Sequence, residues 1–178
     1  MENKKTDPKL VAEKINKVIA SLEKVPDETK RIVLNISMNM SELDIIQAFN
    51  QQSRDLFDIL DSITKKYDSQ RDYKIDGYKM LFNNALKHNV KMPVDKFTLT
   101  ILEFASDIYA ENEDCFLNMK IPDTKVSVGN EFNFIRSEMF KSMWKAINGK
   151  DREILKDKVI LLTTYAHAYF YKTVLATK

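Results

Sequence analysis

Glycine and proline are scarce in this chain of 178 residues, at three and four, and cysteine occurs once. Tight hairpins need Gly or Asn-Gly where φ is positive, and the chain offers almost none, so long helices joined by polar loops are the natural reading. Phosphate loops fail for the same reason, since the chain has no Gly-x-Gly and no Gly-Lys-Ser/Thr. A lone Cys115 leaves no internal disulfide and fits a reducing compartment. There is no apolar run of about 18 residues, the length a membrane-spanning helix needs. The polar stretch Met1 to Lys9 has no apolar segment behind it and does not read as a signal peptide. The expectation is a soluble cytoplasmic protein with no membrane partner.

Charge of one sign is missing too. Lys and Arg number 28 against 26 acidic residues, for a net charge of +2. The basic stretches around Lys65-Lys66 and around Lys141 and Lys145 are broken by acids such as Asp68 and Asp151. Nucleic-acid binders concentrate basic charge, so no specific nucleic-acid partner is expected. The preference for Lys, Asn, Ile, Asp and Phe over Ala and Gly fits an AT-rich genome, as in a phage, another virus or a low-GC bacterium.

What is present is helical periodicity. Asp7-Pro8 opens a first helix whose stripe is Val11, Ile15, Val18, Ile19 and Leu22, ended by Val25-Pro26. Between Lys30 and Met40, alternating Leu34, Ile36, Met38 and Met40 also suit a half-buried strand. A helix from Pro26 is slightly favoured there, because the other extended candidate, residues 125–128, is the one partner a strand would find. Ser41 with Asp44 caps a long helix to about Tyr67, with a polar middle at Asn50 to Arg54 where a bend or an exposed stretch is expected.

Residues 72–89 read as a helix carrying Ile75, Tyr78, Leu81, Phe82, Ala85 and Leu86 inward. Pro93 starts another, with a stripe of Phe97, Ile101, Phe104, Ala105 and Ile108. The longest irregular connection spans 115–129. A sixth helix over 130–148 carries Phe132, Ile135, Met139, Met143, Trp144 and Ile147 inward, with Gly149 as its left-handed cap. The last helix, 151 to about 176, is apolar on nearly every side between Val159 and Phe170, which places it at the centre of a bundle or against another subunit. The fold class is all-α: a single compact bundle of about six or seven helices over residues 1–178, with a polar tail at 1–7 and a buried apolar C-terminal helix.

Catalytic chemistry is thin. Of the two histidines, His88 sits at a helix C-terminus, where the dipole favours a cation. His167 lies between Ala166 and Ala168 in the most apolar stretch and reads as a core or interface histidine with a backbone or hydroxyl partner. Cys115 beside Phe116 reads as a small hydrophobe. There is no Cys pair at zinc spacing and no His-Glu-x-x-His. Two carboxylate rows, Asp55-Asp58-Asp61 and Glu103-Asp107-Glu111, place acids along one helical face where a divalent cation could be held, but this is also the ordinary solvated side of an amphipathic helix. No metal, cofactor or catalytic residue is assigned.

The run from Glu131-Phe132 through Phe140 to Trp144-Lys145, followed by Glu153 and Asp157, resembles the all-α dUTPase/MazG-type nucleotide pyrophosphatases. That resemblance implies magnesium held by two Glu-x-x-Glu or Glu-x-x-Asp pairs on facing helices. The corresponding positions here read Glu131-x-x-Phe134 and Glu153-x-x-x-Asp157, so the ligand spacing is broken in both and the implied relative is a non-catalytic one.

The remaining signal is aromatic. Phe134, Phe140, Trp144, Tyr165, Tyr169, Phe170 and Tyr171 give the C-terminal third more apolar surface than one small core requires, which marks them as candidate interface residues; completing a large core is the equal alternative. The function expected is a non-enzymatic protein–protein interaction or assembly subunit, of the kind a virus or phage encodes, with a protein partner or self-association. The alternatives are a small helical adaptor or inhibitor of a host or regulatory protein, and a metal-dependent nucleotide hydrolase with displaced carboxylates.

Overall fold

A computed structural model describes residues 8–67, 75–112 and 138–175. Among them are eight α-helices and no strand. The helices are α1 (Pro8–Glu23), α2 (Asp27–Asn39), α3 (Glu42–Tyr67), α4 (Ile75–His88), α5 (Met92–Thr100), α6 (Ala105–Tyr109), α7 (Glu138–Ala146) and α8 (Gly149–Phe170). A 3₁₀ turn, Leu102–Phe104, joins α5 to α6, and a π-helical turn, Tyr171–Leu175, follows α8.

The all-round apolar helix α8 is the axis of the bundle. It packs against α3 above all, and also against α2, α5 and α6. Leu155, Val159, Leu162, Ala166, Ala168, Tyr169 and Phe170 are buried along it. One continuous cluster of buried side chains draws on all eight helices. Within it, the Phe49 and Phe97 rings meet edge-on at 5.2 Å, and Phe57 lies 5.6 Å from Phe82. Each such side chain, once buried, contributes about 1.5–3 kcal/mol over leaving it in water.

The ambiguous stretch at 30–40 lies in α2 and its C-cap, Met40. A helix needs only Val33 fully inside, with Ile36 and Met40 packed beside it, and it leaves Met38 facing outward. Ser41 caps α3 as its sequence suggests: its hydroxyl accepts the amide of Asp44 at 3.1 Å.

Four expectations need correction. The polar middle of α3 stays within one continuous helix and faces water only in part: Gln51 is exposed, whereas Asn50 and Ser53 are buried. Ser53 donates to the carbonyl of Phe49 at 2.9 Å, and Asn50 reaches the next element. Leu81, placed inward by periodicity, is exposed. The helix begun at Pro93 breaks at Ile101, a run rich in β-branched residues (Thr98, Thr100, Ile101), into a 3₁₀ turn; its expected stripe of Phe97, Ile101, Phe104, Ala105 and Ile108 still packs inward, and Leu102 is buried as well. Gly149 opens α8 rather than closing α7. Asn148 is the N-cap, its side chain accepting the amide of Asp151 at 2.9 Å. The connection at 115–129, with Cys115, lies outside the described residues.

Candidate functional site

Among the described residues, the one fully buried histidine forms a titratable constellation with a tyrosine. His167 is buried in α8, and its Nδ1 lies 3.5 Å from the hydroxyl of Tyr109 on α6. The rings of Tyr109 and Tyr171 sit 6.3 and 6.2 Å away. Burial pushes the imidazole pKa down to about 4 and the Tyr109 phenol up to about 12. A neutral imidazole beside a neutral phenol results. The hydroxyls of Thr163 and Thr164 on the same helix donate to the carbonyls of Val159 and Ile160, and Thr164 also hydrogen-bonds Tyr109, which opposes part of the upward shift of that phenol. The arrangement is a hydroxyl-partnered core histidine.

The first carboxylate row is divided among lysines. Asp55 lies 3.6 Å from Lys158, Asp58 2.6 Å from Lys79, and Asp61 2.8 Å from Lys65. The second row is disrupted by the break after α5. Asp107 accepts from Asn112 at 3.4 Å, while Glu111 takes a left-handed φ of 55° beyond the end of α6. Glu153 pairs with Lys156 at 3.4 Å. Among the described residues no three His, Cys, Asp or Glu side chains gather where one ion could be held.

Of the aromatic candidates, Trp144, Tyr169 and Phe170 are interior, with Trp144 2% exposed. Tyr169 donates its hydroxyl to Asp95 at 2.7 Å, and burial raises the pKa of both groups, the desolvated Asp95 carboxyl included. Tyr165 and Tyr171 are half-buried against the core. Phe140 falls in α7 without a described side chain, and Phe134 lies outside the described residues.

The unexplained apolar surface is elsewhere. Met38 and Ile32 on α2 are 75% and 51% exposed, and Met80 and Leu81 on α4 are 64% and 45% exposed. Leu43 and Val90, also exposed, flank a groove of about 970 Å³ between α3 and the C-terminal half of α4. Its α3 wall is Leu43, Gln47, Asn50, Gln51 and Arg54, and its α4 wall includes Asn83, Leu86 and Lys87. These residues recur at helical spacing, so each wall is one face of one helix.

Two cross-helix ion pairs close the ends. Lys91 donates to Glu42 at 2.8 Å, and Lys79 to Asp58 at 2.6 Å. Those hydrogen bonds hold both ammonium pKa values above the ordinary lysine range. Between the two pairs, Arg54 and Lys87 have neither hydrogen bond nor ion pair among the described residues. Asn50, 5% exposed, donates from Nδ2 to the carbonyl of Val90 at 3.1 Å, and its Oδ1 is buried with no donor. Sequence reading passed over this groove because Asn50 looks like one more polar residue until its burial is known.

The architecture defines an all-α helical bundle, and among the described residues no helix is long and apolar enough to cross a membrane. The chain is 53% identical over 163 residues to the uncharacterized protein R465 of Acanthamoeba polyphaga mimivirus, a match spanning 92% of this chain and 91% of that one. It belongs to the same family as that mimivirus protein. No family model and no solved structure matches the chain.

Proposed function

We propose that this chain is a virus-encoded, non-enzymatic protein–protein interaction subunit that works in assembly in the host cytoplasm. The observation that carries the reading is the pair Met80 and Leu81, adjacent on α4 and both exposed although the helix has a buried face for apolar residues. Water-facing apolar side chains are tolerated singly, whereas neighbouring Met, Leu and Ile on an otherwise polar surface are the mark of a contact face. Ile32 and Met38 on α2 are exposed as well, on different sides of that helix. The kinship with a mimivirus protein of nearly the same extent supports a viral role for the module as a whole.

The test is purification of the tagged chain from cells infected with the encoding virus, after nuclease treatment, beside a Met80→Asp/Leu81→Asp variant. The expected result is a fixed set of proteins in stoichiometric amount, depleted with the variant. Recovery of the chain alone, monodisperse, would overturn the reading. A single regulatory protein as sole partner would instead favour a small adaptor.

A further inference from the structure

We propose that the groove between α3 and α4 docks an amphipathic helix of a partner protein, its acidic residues meeting Arg54 and Lys87 and its apolar residues covering Leu43, Leu86 and Val90. This rests on the interaction role above and names the chemistry of one partner.

Charge is the first argument. No acid lines the groove, and the two carboxylates at its ends, Glu42 and Asp58, are already engaged by Lys91 and Lys79. Among the described residues, Arg54 and Lys87 are therefore two cations facing one trough with no acid paired to them, and a carboxylate on the occupant supplies the missing half.

The shape of the walls selects a helix. Both walls are α-helical, so their backbone groups are already paired within each helix and offer no edge to an extended strand. The α3 wall from Leu43 to Arg54 extends about 16 Å, or about three turns. A helix laid between two others buries Leu- and Val-sized side chains in this way.

Other occupants fit less well. A second copy placed groove to groove would set Arg54 and Lys87 against their own equivalents. A nucleic acid would find two cations flanked by apolar and amide side chains and by carboxylates at both ends, on a chain of net charge +2.

The experiment is selection of a displayed library of 18-residue helical peptides on the full-length chain, with Arg54→Glu/Lys87→Glu as the test variant and Lys17→Glu as the control. Circular dichroism confirms that both variants are folded. The expected survivors carry Asp or Glu beside Leu or Ile. Their affinity falls at least tenfold on the double reversal and is unchanged in the control, and a zero-length carbodiimide couples a peptide carboxylate to the Lys87 amine. Neutral or basic survivors, survivors indifferent to the reversal, or no survivors at all would overturn the assignment. So would a 20-nucleotide RNA that binds tightly and is lost with the reversal, or a dimer in sedimentation that the reversal dissolves. If infected cells yield partners but none couples to Lys87, the groove assignment alone falls; if they yield no partner, the functional reading falls with it.

Discussion

The side chain of Asn50, in the middle of α3, donates to the carbonyl of Val90 just beyond the end of α4, at 3.1 Å. This bond bridges 40 positions of sequence and fixes the floor of the groove. Because the donor is almost fully buried, removing it leaves the Val90 carbonyl short of a partner. Asn50→Ala is expected to lower unfolding stability by about 1–2 kcal/mol, read by urea titration, with helical content unchanged. No loss of stability would mean that the bond contributes nothing to holding α4 on α3.

Gly77 lies on the outer face of α4, and a Cβ built there meets no atom within 4 Å. Ala at that position keeps the helix and restricts the unfolded chain. Gly77→Ala is expected to raise stability by about 0.5–1 kcal/mol, seen as a higher thermal midpoint.

Glu111 closes α6 with a φ of 55°, and the bonds Asn112 N–H to Asp107 O and Glu111 N–H to Ile108 O, both 3.0 Å, complete a Schellman cap. A residue with a Cβ is strained there, whereas glycine is not. Glu111→Gly is expected to stabilise the fold by about 1 kcal/mol in the same denaturation assay.

His167 gives a pH dependence. Its folded pKa of about 4 lies below the ordinary 6.5 because burial disfavours the imidazolium. The unfolded chain therefore binds the proton more readily. The neutral histidine's contribution is fully present above pH 6.5 and is lost as pH falls from there towards about 4, by on the order of 1 kcal/mol per pH unit. Denaturation at several pH values should show this slope in the wild type and its reduction in His167→Leu.

How much of this could be read from sequence depended on the distance over which each feature is decided. The stripe of α1, the Ser41 cap and the buried last helix were legible because helical spacing and local side chains determine them. The break at Ile101 was not, since Phe97, Ile101, Phe104, Ala105 and Ile108 keep the spacing of one continuous helical stripe across it. Long-range caps were equally hidden. Lys172 donates to the carbonyls of Ser37 and Met40 at 2.9 and 3.0 Å and seals the C-terminus of α2, and Arg152 does the same for α7 through Trp144 and Lys145. A lysine or arginine in a sequence carries no mark of the helix end it will reach. The groove was missed for the related reason that Asn50, Arg54 and Lys87 become a site only once α3 and α4 lie side by side.

The aromatic excess was real, but most of its described members serve the interior. Trp144, Tyr169 and Phe170 fill the core around α8, and the exposed large apolar side chains among the described residues are aliphatic or Met, most of them on α2, α3 and α4. Met suits such a face because its unbranched side chain adapts to different neighbours.

An interaction subunit is best distinguished from a free monomer by the native mass of the chain in extracts of cells infected with the encoding virus. The chain is expected to migrate well above its own 20.8 kDa, with a fixed protein stoichiometry that collapses for Met80→Asp/Leu81→Asp. A wild-type chain found at 20.8 kDa throughout infection, with no protein bound, would contradict the interaction role.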